Sequence, residues 1–379
     1  MNLAKHAIRH LMIVGTWKPK TLDSNLTYRV YSCFILTILT LFAIYVLIYI
    51  LKFSKNVNSL TESLLVFFSI FGAIVKMLHF MLRQEEIISV DSMLTEKICL
   101  PRDQIEEEIL SSSEKFIRKR SNTLMIGCYL FSLSLCMIPL FTTKKMALPY
   151  PNVFIPLSFE SSRYYRLIYL YQVFVFLLTT IILCCCDTYM NELLEKICAE
   201  LDVFKHRLYS SQQKINTNFQ SKNNQYELAV IKDWLHFHIH LIKTVHSVNN
   251  TFNLIFILQF FISTAVLGLA IFNLARVELF TLHFWYMCTY LFDFMIEIFQ
   301  FCYNGERIIV KSTEIVNACY NVNWNTLSKS SRMSLYIIMI QASKPMKIKS
   351  GSMVTMSIGT FVAIFKVSYS IFNVLREIH

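Results

Sequence analysis

The sequence is poor in most of what builds an ordinary soluble domain. Charged residues occupy 16% of its 379 positions, against about 25% in soluble globular proteins. Gly and Pro number seven each, which excludes Gly- or Pro-rich low-complexity architecture. Eleven Cys over this length are too sparse for a disulfide scaffold. No P-loop, GxGxxG, HExxH or GxSxG pattern occurs, so nothing marks an enzyme and no cofactor is expected. What is abundant is apolar surface. Hydrophobic residues make up 55% of the chain, with 31 Phe and 19 Tyr, and the mean hydropathy is +0.46. A soluble fold of this size cannot hide that much apolar surface, whereas a bilayer solvates it.

Seven stretches approach the roughly 20 residues that cross a hydrocarbon core. They are 31–52, 60–82, 121–141, 164–186, 251–274, 280–303 and 354–375. The last is the weakest, because it carries Lys366 and several Ser and Thr. Sustained alternation is absent, which argues against a β-barrel, and backbone groups in lipid must pair within their own segment. The expected fold is therefore all-α: a polytopic membrane protein with seven transmembrane helices. No cleavable signal peptide is evident in residues 1–30.

Orientation follows from Lys and Arg. The N-terminal segment and the loops after spans two, four and six hold 26 of them, and the opposite side holds seven. The N-terminus is thus expected in the cytoplasm and the C-terminus outside. This asymmetry accounts for much of the net charge of +11, and nucleic acid is not an expected partner. The cytoplasmic stretches 102–120 and 187–209 have apolar residues at helical spacing, so the spans are expected to continue past the inner leaflet. The run Cys184-Cys185-Cys186 at the inner end of span four reads as a membrane-facing apolar cluster, with lipidation the alternative.

Ionisable residues inside spans are costly and informative. They are Glu62, Lys76, His79, Arg166, Asp293, Glu297 and Lys366. Asp293 and Glu297 share one face of span six. Lys366 lies midway along span seven among Ser and Thr, which suits either a water-lined helix or interhelical hydrogen bonding. His236 and His240 have metal-compatible spacing but no Cys or carboxylate partner nearby, so no metal site is expected.

In the C-terminal third the residues Phe301-Cys302-Tyr303-Asn304-Gly305-Glu306, then Ser312, Ala318, Tyr320, Trp324, Lys344-Pro345 and Gly351, are followed by Phe361, Lys366 and Ser368 to Leu375. In order and spacing they resemble the insect odorant receptors. So does Tyr164-Tyr165-Arg166 to Gln172 followed by Asp187. The family shares the inner N-terminus already deduced from charge. The resemblance implies a ligand-tuning subunit of a heteromeric, ligand-gated, non-selective cation channel. Its partners would be co-receptor subunits in a hetero-tetramer, a small volatile ligand, lipid, and permeant monovalent cations and calcium. It would reside in the plasma membrane of a sensory neuron's dendrite. A metabotropic or gustatory-type receptor is the alternative, and a transporter ranks last.

The resemblance further implies three regions. Residues 1–303 would form a six-helix bundle with the odorant pocket, 304–350 a cytosolic assembly region with a helix over 331–343, and 351–379 a pore-lining helix starting near Ser352. Lys366, Val374, Glu377 and Ile378 would line the pore, with Val374 and Ile378 at its constriction. The pocket is expected in the outer half of the membrane. Helix direction selects Phe67, Phe68 and Phe71 on span two, Ser132, Cys136 and Met137 on span three, Tyr171 and Phe174 on span four, and Trp285, Tyr286 and Tyr290 on span six. Lipid-facing or core aromatics are the alternative reading of each.

Overall fold

The computed structural model describes residues 5–19, 26–52, 57–141, 162–217, 224–351 and 354–377. Ten helices follow one another along these segments: α1 Lys5–Ile13, α2 Leu26–Lys52, α3 Val57–Leu82, α4 Gln84–Met93, α5 Gln104–Phe141, α6 Ser162–Thr217, α7 Asn224–Leu274, α8 Leu282–Tyr320, α9 Lys329–Ala342 and α10 Ile358–Glu377. Two-residue strands β1 (Lys349–Ser350) and β2 (Val354–Thr355) pair antiparallel just before α10.

The predicted spans are all found on helices. Among the described residues five helices are long and apolar enough to cross a membrane by length and composition, namely α2, α3, α6, α7 and α10. Helices α5 and α8 carry spans three and six. Four spans are halves of much longer helices: α6 has 56 residues and α7 has 51. At 1.5 Å per residue α6 and α7 each exceed twice the thickness of a bilayer core. The expected cytoplasmic extensions are therefore continuous with the spans. The junction at 303/304 lies inside α8, where the helix runs on without a break. Span seven starts later than its hydropathy suggested. Residues 354–355 belong to β2, and α10 begins at Ile358, where Ser357 Oγ accepts from Thr360 N at 3.2 Å.

The packed centre lies where the inner halves of α3, α6, α7 and α8 converge. Phe80, Tyr189, Phe204, Trp234, Phe237, Phe252, Phe256 and Phe301 are fully buried there. The N-terminal helix and the turn after it close one side, with the Trp17 ring of that turn 5.7 Å from Tyr189 and 6.5 Å from Phe80. Cys185 and Cys186 are part of this core, with no exposed surface. The expectation of a membrane-facing thiol cluster is corrected accordingly: at the inner end of span four, midway along α6, Cys185 and Cys186 are enclosed by other helices and Cys184 borders the cavity.

Two glycines mark where α10 docks. A Cβ on Gly268 of α7 would lie 2.8 Å from Ile371 Cγ2, and one on Gly305 of α8 would lie 2.5 Å from Met356 Cβ. The neighbouring Glu306 accepts from Ile358 N at 3.2 Å, capping the first turn of α10. Further support comes from α7, where Asn249 bridges Lys347 O and Lys349 N at 2.9 Å each and Asn253 Oδ1 accepts from Gly351 N at 2.6 Å.

Candidate ligand cavity and its ionic floor

A cavity of about 160 Å³ opens between α3, α5, α6 and α8. Each helix contributes one stripe at helical spacing. From α3 come Leu65, Val66, Ser69 and Ile70, and from α5 Leu124, Cys128, Phe131 and Ser132. From α6 come Val175, Phe176, Thr179, Thr180, Leu183, Cys184, Asp187, Thr188 and Asn191. From α8 come Tyr286, Tyr290, Asp293, Phe294, Ile296, Glu297 and Gln300. The walls are mainly apolar and aromatic, with hydroxyls and carboxylates at a few points, the usual composition of a small-molecule site. One wall is fixed by Tyr290, whose hydroxyl lies 2.5 Å from Ser69 Oγ, while its ring stands 5.1 Å from that of Phe294.

Of the pocket residues selected from the sequence, Ser132, Tyr286 and Tyr290 line this cavity. The others stand elsewhere. Phe67, Phe68 and Phe71 lie on neighbouring faces of α3, where Phe67 and Phe71 stack 6.0 Å apart. Cys136 is buried above the cavity, and its carbonyl accepts from Tyr169 Oη. Tyr171, Phe174 and Trp285 are exposed on the outer surface of the bundle. The side chain of Met137 lies outside the described residues. The cavity also reaches deeper than the expected outer half. On α6 it runs from Val175 down to Asn191, and on α8 down to Gln300. Sequence reasoning passed over Thr179, Thr180, Asp187 and Thr188. Their common signal is polar residues on one stripe of an otherwise apolar helix.

The floor of the cavity is ionic. Lys76 Nζ of α3 donates to Asp187 Oδ1 and Oδ2 of α6 at 2.6 and 2.7 Å, and to Glu297 Oε1 of α8 at 3.0 Å. Gln259 Nε2 of α7 donates to the same Glu297 oxygen at 2.6 Å. Four helices are thus tied at one point beneath the ligand space. Removing an ammonium from such a site leaves buried carboxylates without a counter-charge, which is far costlier than never burying them. One turn further along α6, where the cavity lining ends, Asn191 Oδ1 accepts from Asn304 Nδ2 at 3.0 Å, and beyond it Glu195 receives both Arg120 and Arg307. The α6–α8 seam is polar from the cavity into the cytoplasmic half.

The cytoplasmic half holds its own buried charges. Arg207 is clamped by Glu106 at 2.9 and 3.0 Å and donates to the carbonyls of Ile98 and Leu100. Nearby Glu200, fourteen residues and about 21 Å along α6 from Cys186, is 1% exposed and has an oxygen with no hydrogen bond. Burial pushes its carboxyl up to about 8. The folded state therefore holds a proton that the unfolded chain releases near its ordinary pKa of about 4.5. Stability from this group is present at low pH and declines as pH rises toward 8. Glu200→Gln is expected to raise thermal stability by about 1 kcal/mol or more at pH 8 and by little at pH 5. Thermal denaturation of the purified protein at the two pH values tests this; an equal effect at both would contradict it.

The paired histidines do not converge. His236 is exposed, His238 stacks on Phe204 at 5.7 Å, and His240 Nε2 lies 2.9 Å from Met93 O. Asp103, Glu106 and His206 bring three donor atoms within 4.8 Å, but Glu106 is already committed to Arg207.

Of the pore residues expected from the sequence, Lys366, Val374 and Glu377 lie on α10. One stripe carries Lys366, Ser370 and Glu377, all exposed, with the half-buried Asn373 between them and Val374 beside it, 56% exposed. Ile378 lies outside the described residues.

An all-helical bundle of apolar spans enclosing a mainly apolar cavity over an ionic floor defines a multi-pass membrane protein. The chain matches the 7tm odorant receptor family over residues 56–369 and belongs to that family. Among curated proteins it is 24% identical to odorant receptor 67c of Drosophila melanogaster, over 51% of this chain and 46% of that protein. It is 25% identical to the odorant receptor coreceptor of Aedes aegypti, over 43% of this chain and 35% of that protein. The matched region thus spans less than half the length of these relatives. Among solved structures it superposes on the insect olfactory receptor OR5 from Machilis hrabei with a TM-score of 0.80 at 16% identity, covering 99% of this chain and 97% of that one. The same receptor in complex with eugenol gives 0.79. These likenesses establish the fold.

Proposed function

We propose that this odorant receptor is the ligand-tuning subunit of a heteromeric, non-selective cation channel in the plasma membrane of a sensory neuron. A small volatile ligand would enter the α3–α5–α6–α8 cavity and stabilise the open state. Residues 164–186 and the other spans would sit with the N-terminus in the cytoplasm. The supporting observation is the state of α10. Its membrane window is 11% buried, the lowest among the five spanning candidates. A lysine at mid-depth on the uncovered side of such a helix is costly against lipid and acceptable against water or another subunit. The stripe of exposed Lys366, Ser370 and Glu377 with half-buried Asn373 therefore reads as a pore wall, with Glu377 near the outer mouth attracting cations.

The partner is proposed to be a co-receptor subunit, the role printed in the names of several relatives. Helix α9 offers an assembly surface: Met333, Tyr336, Ile337 and Ile340, at i, i+3, i+4 and i+7, are all about half exposed. Apolar stripes of this kind are buried in assemblies.

The test is whole-cell recording from cells expressing this chain with and without a co-receptor, against a broad volatile panel. Cation current is expected only on co-expression, and absent from the co-receptor alone. An N-terminal tag is expected to stain only after permeabilisation. Val374→Ala is expected to change permeation or gating at normal surface level; unchanged currents would remove Val374 from the pore.

A further inference from the structure

The ionic floor leaves one carboxylate of the cavity wall unused. Asp293 lies one turn above Glu297 on the cavity stripe of α8. Among the described residues it has neither a hydrogen bond nor an ion pair, and the charge acting on it is the like charge of Glu297. Among the described residues no Lys, Arg or His lines the cavity. Lys76 approaches from behind the floor and is shared by Asp187 and Glu297. Three carboxylates line the cavity against one ammonium, and Asp293 is the one that the ammonium does not reach. An anionic carboxylate at this depth is costly unless a cation meets it. Beside it stand the rings of Tyr286, Tyr290 and Phe294, successive rings being 6.1 and 5.1 Å apart. Aromatic faces attract cations as well as apolar carbon.

We infer that the cavity is built for a small ligand bearing a protonated amine, seated against Asp293, with its apolar body between the α8 aromatics and Phe176 of α6. This rests on the cavity being the ligand site of the proposed receptor. Asp293 would then be the specificity determinant that separates amines from alcohols and hydrocarbons of the same shape. A ligand cation desolvated against a carboxylate and ring faces gains a charge-assisted contact that neutral isosteres lack.

The test is direct binding to the full-length chain in lipid nanodiscs, using 2-phenylethylamine, 2-phenylethanol and ethylbenzene. The amine is expected to bind at least about tenfold more tightly than the alcohol, equivalent to about 1.4 kcal/mol. Asp293→Asn is expected to erase that preference, bringing the amine to the affinity of the alcohol, and Asp293→Glu to keep it. The wild-type comparison stands alone if a variant fails to fold. Equal binding of all three probes, or a preference that survives Asp293→Asn, would overturn the inference and leave the cavity as the ligand site. No binding of any probe would overturn both the inference and the assignment of the cavity.

Discussion

Replacing Lys76 with methionine is expected to destabilise the protein by about 3–5 kcal/mol. That is a large share of the 5–15 kcal/mol by which folded proteins exceed their unfolded states. Lys76 is 3% exposed, and its ammonium is the cation holding Asp187 and Glu297. Methionine keeps the volume of the lysine stem, so the loss isolates the charge. The two carboxylates, with Gln259 still donating to one of them, would repel each other across the α6–α8 seam. The expected readout is loss of surface protein and a thermal midpoint many degrees lower in detergent. A triple variant, Lys76→Met with Asp187→Asn and Glu297→Gln, separates charge from packing. It is expected to recover most of the stability, because replacing a whole buried ionic cluster with neutral groups is close to neutral overall. A single variant as stable as wild type, or a triple as damaged as the single, would contradict this account.

A helix substitution of one methyl group is expected to have an effect nearly as large at Gly305. An alanine Cβ there would press on the Met356 backbone oxygen and lie 2.5 Å from Met356 Cβ and 2.9 Å from Met356 C. Two of those three atoms are backbone and cannot turn aside. The segment they belong to leads directly into α10, whose first turn is capped by the adjacent Glu306. Gly305→Ala is expected to cost about 3 kcal/mol, the upper end of overpacking, and to disturb the seating of α10. At Gly268 the obstacle is mainly the Ile371 side chain at 2.8 Å, which can yield in part, so Gly268→Ala is expected to cost less. At Gly72 the nearest atoms are 3.6 and 3.7 Å away. Gly72→Ala is therefore expected to be neutral or stabilising by up to about 1 kcal/mol, from helix propensity. Thermal stability measured across the three variants should follow the order 305, 268, 72. A different order would show that α10 does not depend on close contact at Gly305.

Much of the architecture was legible in the residues. Long apolar runs located each span, because only a helix satisfies its backbone inside hydrocarbon. Helical spacing in 187–209 announced that span four continues as α6. The FCYNGE segment carried the family resemblance, and the structure supplies its physics: Gly305 admits Met356, Glu306 caps α10, and Asn304 bonds Asn191. The start of α10 was missed because hydropathy does not distinguish Val354–Thr355 in a two-stranded turn from the same residues in a helix.

The site was legible in part. Sequence gave the depth of each residue along its helix but not the rotation of that helix. A membrane span faces lipid on one side and apolar protein on the other, so its hydropathy is similar around its circumference. That is why Phe67 and Phe71, at the right depth on α3, stand beside the cavity stripe of Ser69 and Ile70. It is also why Trp285 faces outward while Tyr286 and Tyr290 face in. Composition and periodicity by themselves determined that this chain is a bundle of membrane helices with charges sorted to one side. Packing alone decided which lysine meets which carboxylate. Lys76, Asp187 and Glu297 are 111 and 221 residues from their partners, and only the tertiary structure brings such distant charges into the hydrogen-bonding contact that makes their burial affordable.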